Sequence, residues 1–468
     1  MEAGGTIRDD ATSRPTVEAP KLPHLFVVLE CARPLAGGAC LRIEGVDEVV
    51  LGRGQARNAA LETDKAGKRR IVLTVPDGRM SSRHASITRT NEGWTLADLG
   101  STNGTSVEGT KIERTLLGDG ATFELGSTIF LLRTALPAHS TPRLFAESST
   151  LPNKSLGLAT LIPSHAASIA ALAKIAASDA PILLLGESGT GKEVTARAVH
   201  ALSKRSGAFV PINCGALPET LLESQLFGHV KGAFSGAARD EIGLVRASDH
   251  GTLFLDEIGD MRAPSQVALL RLLQEREVTP VGATKPVAVD LRVVAATHRQ
   301  VDGLEQAGFR SDLYARVAGY MHRLPPLRER LADLGLLVAA LLEKLAPGRT
   351  DLTIAVDLAR AMVGYEWPLN VRELEQALRV TTLLADDGVL RLESAPETLR
   401  APPSREEDDD SAAEPVSADE QKVRDALVAA LQAHQGNVSK VASEMGRTRM
   451  QIHRWMRKFA IDADAYRR

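Results

Sequence analysis

The sequence predicts a multidomain chain: an all-β sandwich, then an α/β domain built around a phosphate-binding loop, then a short all-α helix-turn-helix. Three observations carry that expectation. Between residues 23 and 135, the runs RIVLTV, HASITR, WTLADL and TFELGSTIFLLR are expected to alternate apolar and polar side chains, with Gly, Asn and Asp between them, as in antiparallel strands with one buried face. At PILLLG an apolar strand meets the turn GESGTGK and then the helical run EVTARAVHAL, the strand, turn and helix order of a nucleotide-binding unit. From residue 421 the apolar side chains recur at helical spacing.

Composition sets the outer limits. A chain of 468 residues has room for roughly two to four domains. The net charge of -3 makes it no polycation, so any contact with nucleic acid must come from a local basic patch. Cys31, Cys40 and Cys214 are odd in number and lack metal-ligand spacing, which argues against a disulfide framework and fits a reducing, cytoplasmic setting. The first residues carry acids where a signal peptide has bases, and no uninterrupted apolar run reaches ~18 residues; neither export nor a membrane span is expected. Two stretches rich in Pro, Ser and charge read as linkers. The expected layout is therefore a disordered 1–22, a sandwich over 23–135, a linker over 136–155, an α/β domain over 156–397, an acidic linker over 398–420 and a helical tail over 421–468.

Within the α/β segment, GESGTGK places Gly186, Glu187, Ser188, Gly189, Thr190, Gly191 and Lys192 between strand and helix. Glycines let backbone amides close on phosphate oxygens, the helix N-terminus adds partial positive charge, and the lysine reaches the outer phosphates. Glu193 stands where such loops usually carry Ser or Thr for Mg²⁺, so the metal must lean on another carboxylate. GTLFLDEIGD supplies one: the apolar run Leu253 to Leu255 delivers Asp256 and Glu257 at a strand end, Asp256 suited to Mg²⁺ and Glu257 to polarising an attacking water. Between these motifs lies FGHVKGAFSGA, in which Gly232 and Gly236 bracket Ala233, Phe234 and Ser235, with Ala237 following. Glycine weakens helix and strand interiors, so this is a turn or loop tip; by itself it reads as a loop whose Phe folds back into its own domain.

These residues carry a resemblance. GESGTGKE, PINCGALPETLLESQLFGHVKGAFSGA, GTLFLDEIGDM, LRVVAATHR, FRSDLYARV, LPPLRER and WPLNVREL occur in order, and the segment 156–397 resembles the AAA+ domain of bacterial sigma-54-dependent transcription activators. The resemblance implies an α/β P-loop ATPase core to about residue 325 followed by a helical lid, with ATP and Mg²⁺ as cofactors. It implies that Asn213 holds Glu257 idle, that Thr297 and His298 occupy the sensor I position, and that Arg310 and Arg316 are arginine fingers reaching a neighbouring subunit's γ-phosphate. It places Arg372 at sensor II. A site split between subunits implies self-assembly from dimer to hexamer or heptamer. The GAFSGA loop, Gly232 to Ala237, would then project Phe234 toward sigma-54 and promoter DNA. The chain departs from the family pattern at Gln225 for Glu, Ser235 for Thr, His298 for Asn and Leu369 for Gly.

The two ends extend the resemblance. In the tail, Val423, Ala426, Leu427, Ala430 and Leu431 fit one amphipathic helix; Ile452, Trp455, Met456 and Phe459 fit the buried face of another, whose remaining faces carry Arg449, Gln451, His453, Arg454, Arg457 and Lys458, with Arg447 just before. This is similar to the Fis-type helix-turn-helix that ends most family members and implies binding to upstream enhancer DNA. In the head, Gly52 and Arg53, then Ser81, Arg83 and His84, then DLGSTNGT from Asp98 to Thr105 resemble a forkhead-associated (FHA) domain. That resemblance implies that Arg53, Ser81, Arg83, Thr102 and Asn103 meet phosphothreonine or its peptide, while His84 and Gly104 hold the loops; the partner would be a Ser/Thr kinase or its phosphorylated substrate. The expected function is ATP-driven remodelling of sigma-54 RNA polymerase for open-complex formation. Two rivals remain: an unfoldase using Phe234 as a pore loop, against which the DNA-binding tail counts, and a DNA-binding regulator uncoupled from sigma-54, against which Phe234 and the hydroxyl of Ser235 count.

Overall fold

A computed structural model describes residues 20–63, 65–137, 144–216, 219–234, 236–299, 308–400 and 418–434, backbone only at 219–221, 418–423 and 425, together with 441, 444, 445, 456, 459 and 461. Residues up to 403 belong to one compact unit and those from 404 to a second.

The head is a sandwich of a seven-stranded and a six-stranded sheet. The seven-stranded sheet is centred on the antiparallel pair Lys21–Glu30 and Thr128–Pro137. In the six-stranded sheet, Glu48–Arg53 pairs antiparallel with Ala85–Thr90 on one side and parallel with Arg69–Val75 on the other, a parallel pair that the alternation pattern does not announce. Between the sheets lie Leu51, Ile71, Ile87, Trp94, Phe123 and Phe130, the last two rings stacked 5.2 Å apart. The central strand reads LFVVL over Leu25 to Leu29, apolar at every position. Leu25 and Val27 face the sandwich interior, whereas Phe26 and Val28 face outward into a second core shared with the lid.

The α/β domain is a five-stranded parallel sheet. Across it run Phe209–Asn213, Thr252–Asp256, Arg292–Thr297, Ile182–Leu185 and Tyr320–Arg323. Both faces are covered, which is why these strands are apolar throughout rather than alternating. Ile182, Leu184, Val294 and Ala296 pack beneath the helices Pro163–Ala176 and Lys192–Ser203; Leu183, Leu253, Leu255 and Val293 pack on the opposite side with Leu269, Leu313 and Val317. The lid follows as the helices Leu334–Leu345, Val356–Gly364 and Asn370–Leu383, with Trp367 buried among them and its Nε1 donating to the Met362 carbonyl at 2.9 Å.

Three expected boundaries shift. The stretch 136–155, read as a linker from its Pro and Ser content, contains the strand Phe145–Glu147, which pairs with Ala39–Arg42; next to it Ser148 is buried, its hydroxyl donating to the Gly38 carbonyl at 2.8 Å. Leu399, inside the expected acidic linker, is buried in the lid core. The first strand begins at Lys21, within the segment expected to lack structure. In the second unit, helix Ala418–Ala433 buries Leu427, Ala430 and Leu431 against Val441 and Met456; Ala426, expected on that face, is exposed. No helix among the described residues is long and apolar enough to cross a membrane.

Candidate functional site

The strand Ile182–Leu185 ends at the phosphate-type loop, and the helix Lys192–Ser203 begins directly after Gly191, whose φ of 103° only glycine adopts readily. Lys192 is 7% exposed. Its Nζ donates to the carbonyls of Gly186 and Glu187 at 2.9 and 3.2 Å and lies 3.3 Å from Glu257 Oε1. Thr190 Oγ1 donates to the Glu187 carbonyl at 2.9 Å, which fixes the turn from inside. Glu193 points away, its carboxylate exposed and paired with Arg197 at 2.7 Å.

Asp256 and Glu257 leave the neighbouring strand in different directions. Asp256 stays in register with Asn213; burial first, and then the adjacent Glu257 charge, push its carboxyl above the ordinary value. Glu257 has φ 52°, which turns its side chain toward the strand on the other side, Arg292–Thr297. There His298 receives it: Nδ1 lies 2.7 Å from Glu257 Oε2, and the His298 amide donates to the same oxygen at 3.2 Å. Burial opposes ionisation of Glu257, but the His298 bonds and Lys192 outweigh it and hold the carboxyl below its usual range. Glu257 is thus held by His298 and Lys192, while the hydrogen bond of the Asn213 side chain goes to the Gly215 amide. Asn213 sits on the Asp256 side, and its Oδ1 accepts from the Gly215 amide at 2.9 Å. Thr297 is buried, and its Oγ1 accepts from the Arg299 amide at 3.1 Å.

The lid is seated on the loop itself. Asn370 Nδ2 donates to the Ser188 carbonyl at 3.0 Å, the Val371 amide to the Gly189 carbonyl at 3.0 Å and Arg372 Nη1 to Ser188 Oγ at 3.1 Å. Arg328 grips Glu187 through two bonds of 2.9 and 2.6 Å, which hold that carboxyl down at about 2. Arg328 and Asn370 were not singled out from the sequence; LPPLRER and WPLNVREL contain them, but only the fold brings them to Glu187. Leu369, at the family's Gly position, has φ -103° and so needs no glycine; the positive angles fall on Trp367 and Asn370 instead. Arg310 caps the start of the short helix Ser311–Val317 and Arg316 lies in its last turn; both are exposed, Arg310 paired with Asp312 at 2.7 Å.

The Phe234 loop is a compact turn. The Gly232 amide donates to the Ala237 carbonyl at 2.9 Å and the Ala237 amide to the Phe234 carbonyl at 3.1 Å, while Gly232 and Gly236 take φ 82° and 113°. Phe234 is 43% exposed and leans against the His229 ring, with the two centroids 4.9 Å apart. Its ring is thus outside the core. Ser235 lies outside the described residues.

In the head, Arg53 and Arg83 are exposed, as are Thr102 and Asn103. His84 is buried between the loops: its Nδ1 accepts from the Ser81 amide at 3.1 Å and its Nε2 lies 3.3 Å from the Gly104 carbonyl. Ser81 Oγ accepts from the Thr102 amide at 3.1 Å, and Asn103 Nδ2 donates to the Arg79 carbonyl at 2.7 Å. Asp98 gathers Ser101 and Thr105 beneath the loop. Gly52 is dictated by space, because a Cβ there would lie 2.0 Å from the Ser82 carbonyl oxygen. Lys111, which sequence reasoning passed over, hydrogen-bonds the Asn103 carbonyl and adds a cation to this pole; its isolation in the sequence gave no signal. The DNA candidates Arg447, Arg449, Gln451, His453, Arg454, Arg457 and Lys458 all lie outside the described residues.

Family models match along the chain: the Sigma-54 interaction domain over residues 160–321, the FHA domain over 49–126, the AAA+ ATPase lid domain over 328–412 and the Fis family of bacterial regulatory proteins over 424–459. The acetoin dehydrogenase operon transcriptional activator AcoR of Bacillus subtilis is 42% identical over 63% of this chain and 49% of its own. The hydrogenase transcriptional regulatory protein HoxA of Cupriavidus necator is 42% identical over 62% of each chain. The chain thus spans about half to three-fifths of the length of these two relatives. The response regulator protein PilR of Pseudomonas aeruginosa is 39% identical over 72% of this chain and 76% of its own. With the matched domains in this order, and with a relative covered over most of its length, the chain belongs to the sigma-54-dependent transcription activators.

Proposed function

We propose that this protein hydrolyses ATP in a ring and uses the energy to remodel sigma-54 RNA polymerase at promoters, held upstream by its C-terminal domain and controlled by phosphothreonine at its head. The observation that carries the reading is the Lys192, Glu257 and His298 cluster at the mouth of a glycine-rich loop, with an unburied Phe234 held at the tip of a separate turn. Lys192 is satisfied by its own chain at rest; phosphate oxygens would take over that ammonium and free Glu257 to accept the proton of the attacking water. Glu257 suits this because it is ionised and because His298 fixes its direction. Mg²⁺ would be held by Asp256 together with the phosphates; among the described residues no group of three or more His, Cys, Asp or Glu is arranged to hold a metal alone. When bound, Mg²⁺ neutralises charge on the transferring phosphoryl group. Arg310 and Arg316 are exposed at the start and in the last turn of one short helix; Arg310 would leave its Asp312 partner and both would serve a neighbour's site, where a planar guanidinium fork matches spreading phosphoryl charge.

Phe234→Ala separates chemistry from coupling. ATP hydrolysis should stay within about twofold of the parent, since the ring lies outside the nucleotide loop, while open-complex formation at a sigma-54 promoter is lost. Equal loss of both would make Phe234 a packing residue, and retention of both would favour a regulator uncoupled from sigma-54.

A further inference from the structure

We infer that the head controls the nucleotide site through the lid, to which one continuous core fuses it, so that phosphopeptide binding and nucleotide binding are reciprocally coupled. This rests on the phosphothreonine reading of the head and adds the route by which it acts.

The seam is built like an interior. Phe26, Val28 and Leu131 on the outer face of the head sheet share a cluster with Leu334, Val338 and Leu342 of the lid. Backbones touch: the Ile354 amide donates to the Cys31 carbonyl at 2.8 Å, and a Cβ on Gly335 would lie 2.0 Å from the Val28 oxygen. Arg360 of the lid closes the edge with two bonds of 2.7 Å to Glu124 of the head. Close-packed contacts of this kind transmit displacement instead of absorbing it.

Each end of this body reaches a phosphate-type loop. Four residues beyond Arg53, the Arg57 side chain is 5% exposed. It donates to the carbonyls of Ala36 and Gly37 at 2.9 Å each, to Glu147 at 2.9 Å, and lies 3.1 Å from Glu30. Arg57 also lines a cavity of about 220 Å³ with Leu336 and Ala339 of the first lid helix. That helix packs on Asn370–Leu383, whose first turn carries Asn370, Val371 and Arg372 onto Ser188 and Gly189. A nucleotide that alters the lid seat must carry the head with it. Conversely, a peptide that fixes the Arg53 pole biases the seat, because linkage makes coupling between two binding sites mutual.

Hydrogen exchange on the full chain with and without ADP tests the route with no peptide present. ADP should slow exchange in the helix Asn370–Leu383 and also, by ~5-fold or more, in the head strands Lys21–Glu30 and Thr128–Pro137. In Val338→Ala, which thins the shared core between head and lid, the slowing in the head should fall by at least half. Head strands that exchange alike with and without ADP overturn the inference, whether or not the lid helix responds, as does undiminished slowing in the variant. A second arm measures binding of a degenerate phosphothreonine peptide pool with and without ADP, and a change of ~5-fold or more is expected. If the pool binds but ignores ADP, the coupling is overturned. If phosphorylated and unphosphorylated pools bind alike, the phosphothreonine reading falls while the exchange arm still decides the route.

Discussion

Two loops of this chain are suited to phosphate, and they are built in opposite ways. At the nucleotide loop the cation is buried and already engaged: Lys192 is held by Gly186, Glu187 and Glu257, and the lid presses on Ser188 and Gly189. A ligand there must exchange existing bonds, so binding is tied to rearrangement. At the head the cations stand in solvent, and the loops that carry them are braced from below by His84 and Asp98. A ligand there meets a frame already in place. On the proposed function, the first arrangement would act as a switch and the second as a detector, one serving catalysis and the other recognition.

The sharpest way to break this comparison is to remove the groups that only a switch needs. Arg310→Ala and Arg316→Ala should each bind ATP and lose roughly 10³-fold or more in turnover, and mixing either with Lys192→Ala protein should restore part of the activity by completing a site across one interface. Turnover that no mixture regains would place both arginines in cis or outside the reaction. Glu257→Gln comes next: nucleotide binding is kept and hydrolysis falls ~10²–10⁴-fold, measured with a labelled nucleotide beside Lys192→Ala, which should lose binding. Normal turnover in the Gln variant removes Glu257 from its role. At the detector the effects are smaller. Arg53→Ala should weaken a phosphothreonine peptide by roughly tenfold, one charged hydrogen bond contributing ~1.5–3 kcal/mol, while circular dichroism of the sandwich is unchanged. Smallest is the effect of pH. Burial holds the His84 imidazole below its ordinary value, and the peptide phosphate passes from dianion to monoanion near pH ~6. Affinity should therefore drop ~2–5-fold as pH falls through that value. Affinity that stays flat across this range would remove the second phosphate charge from recognition.

The sequence disclosed the switch more fully than the detector's surroundings. GESGTGK and FLDE are local: strand, turn and helix are contiguous, so residue order fixes where Lys192, Asp256 and Glu257 emerge. Which neighbour Glu257 would choose was not legible. Glu257 takes a positive φ and bonds His298, 41 residues further on, a contact that residue order does not announce. Arg328 and Asn370 reach Glu187 only through the tertiary fold, 141 and 183 residues away in the chain. The union of head and lid did leave a trace. A sandwich strand with one wet face alternates, whereas LFVVL does not, and the IFLLR end of the run expected to alternate is buried on both faces from Ile129 to Leu132; the outer face is covered. Pro and Ser at 136–155 suggested a free tether, and composition could not reveal that Phe145–Glu147 would find the edge strand Ala39–Arg42.

Those unbroken apolar strands bear on how such regulators can be recombined. Sensor modules invite exchange, and a graft cut at 136–155 looks safe on composition. Here that cut would transplant half of a core. The recipient would keep Leu334, Val338 and Leu342 facing water, an adhesive patch of the kind that drives aggregation, and the donor fragment would carry Phe26, Val28 and Leu131 as its complement. A chimaera that keeps Lys21 to Arg400 in one piece, and varies only the loops around Arg53 or the DNA-binding tail, respects the seam and retunes the input without exposing it.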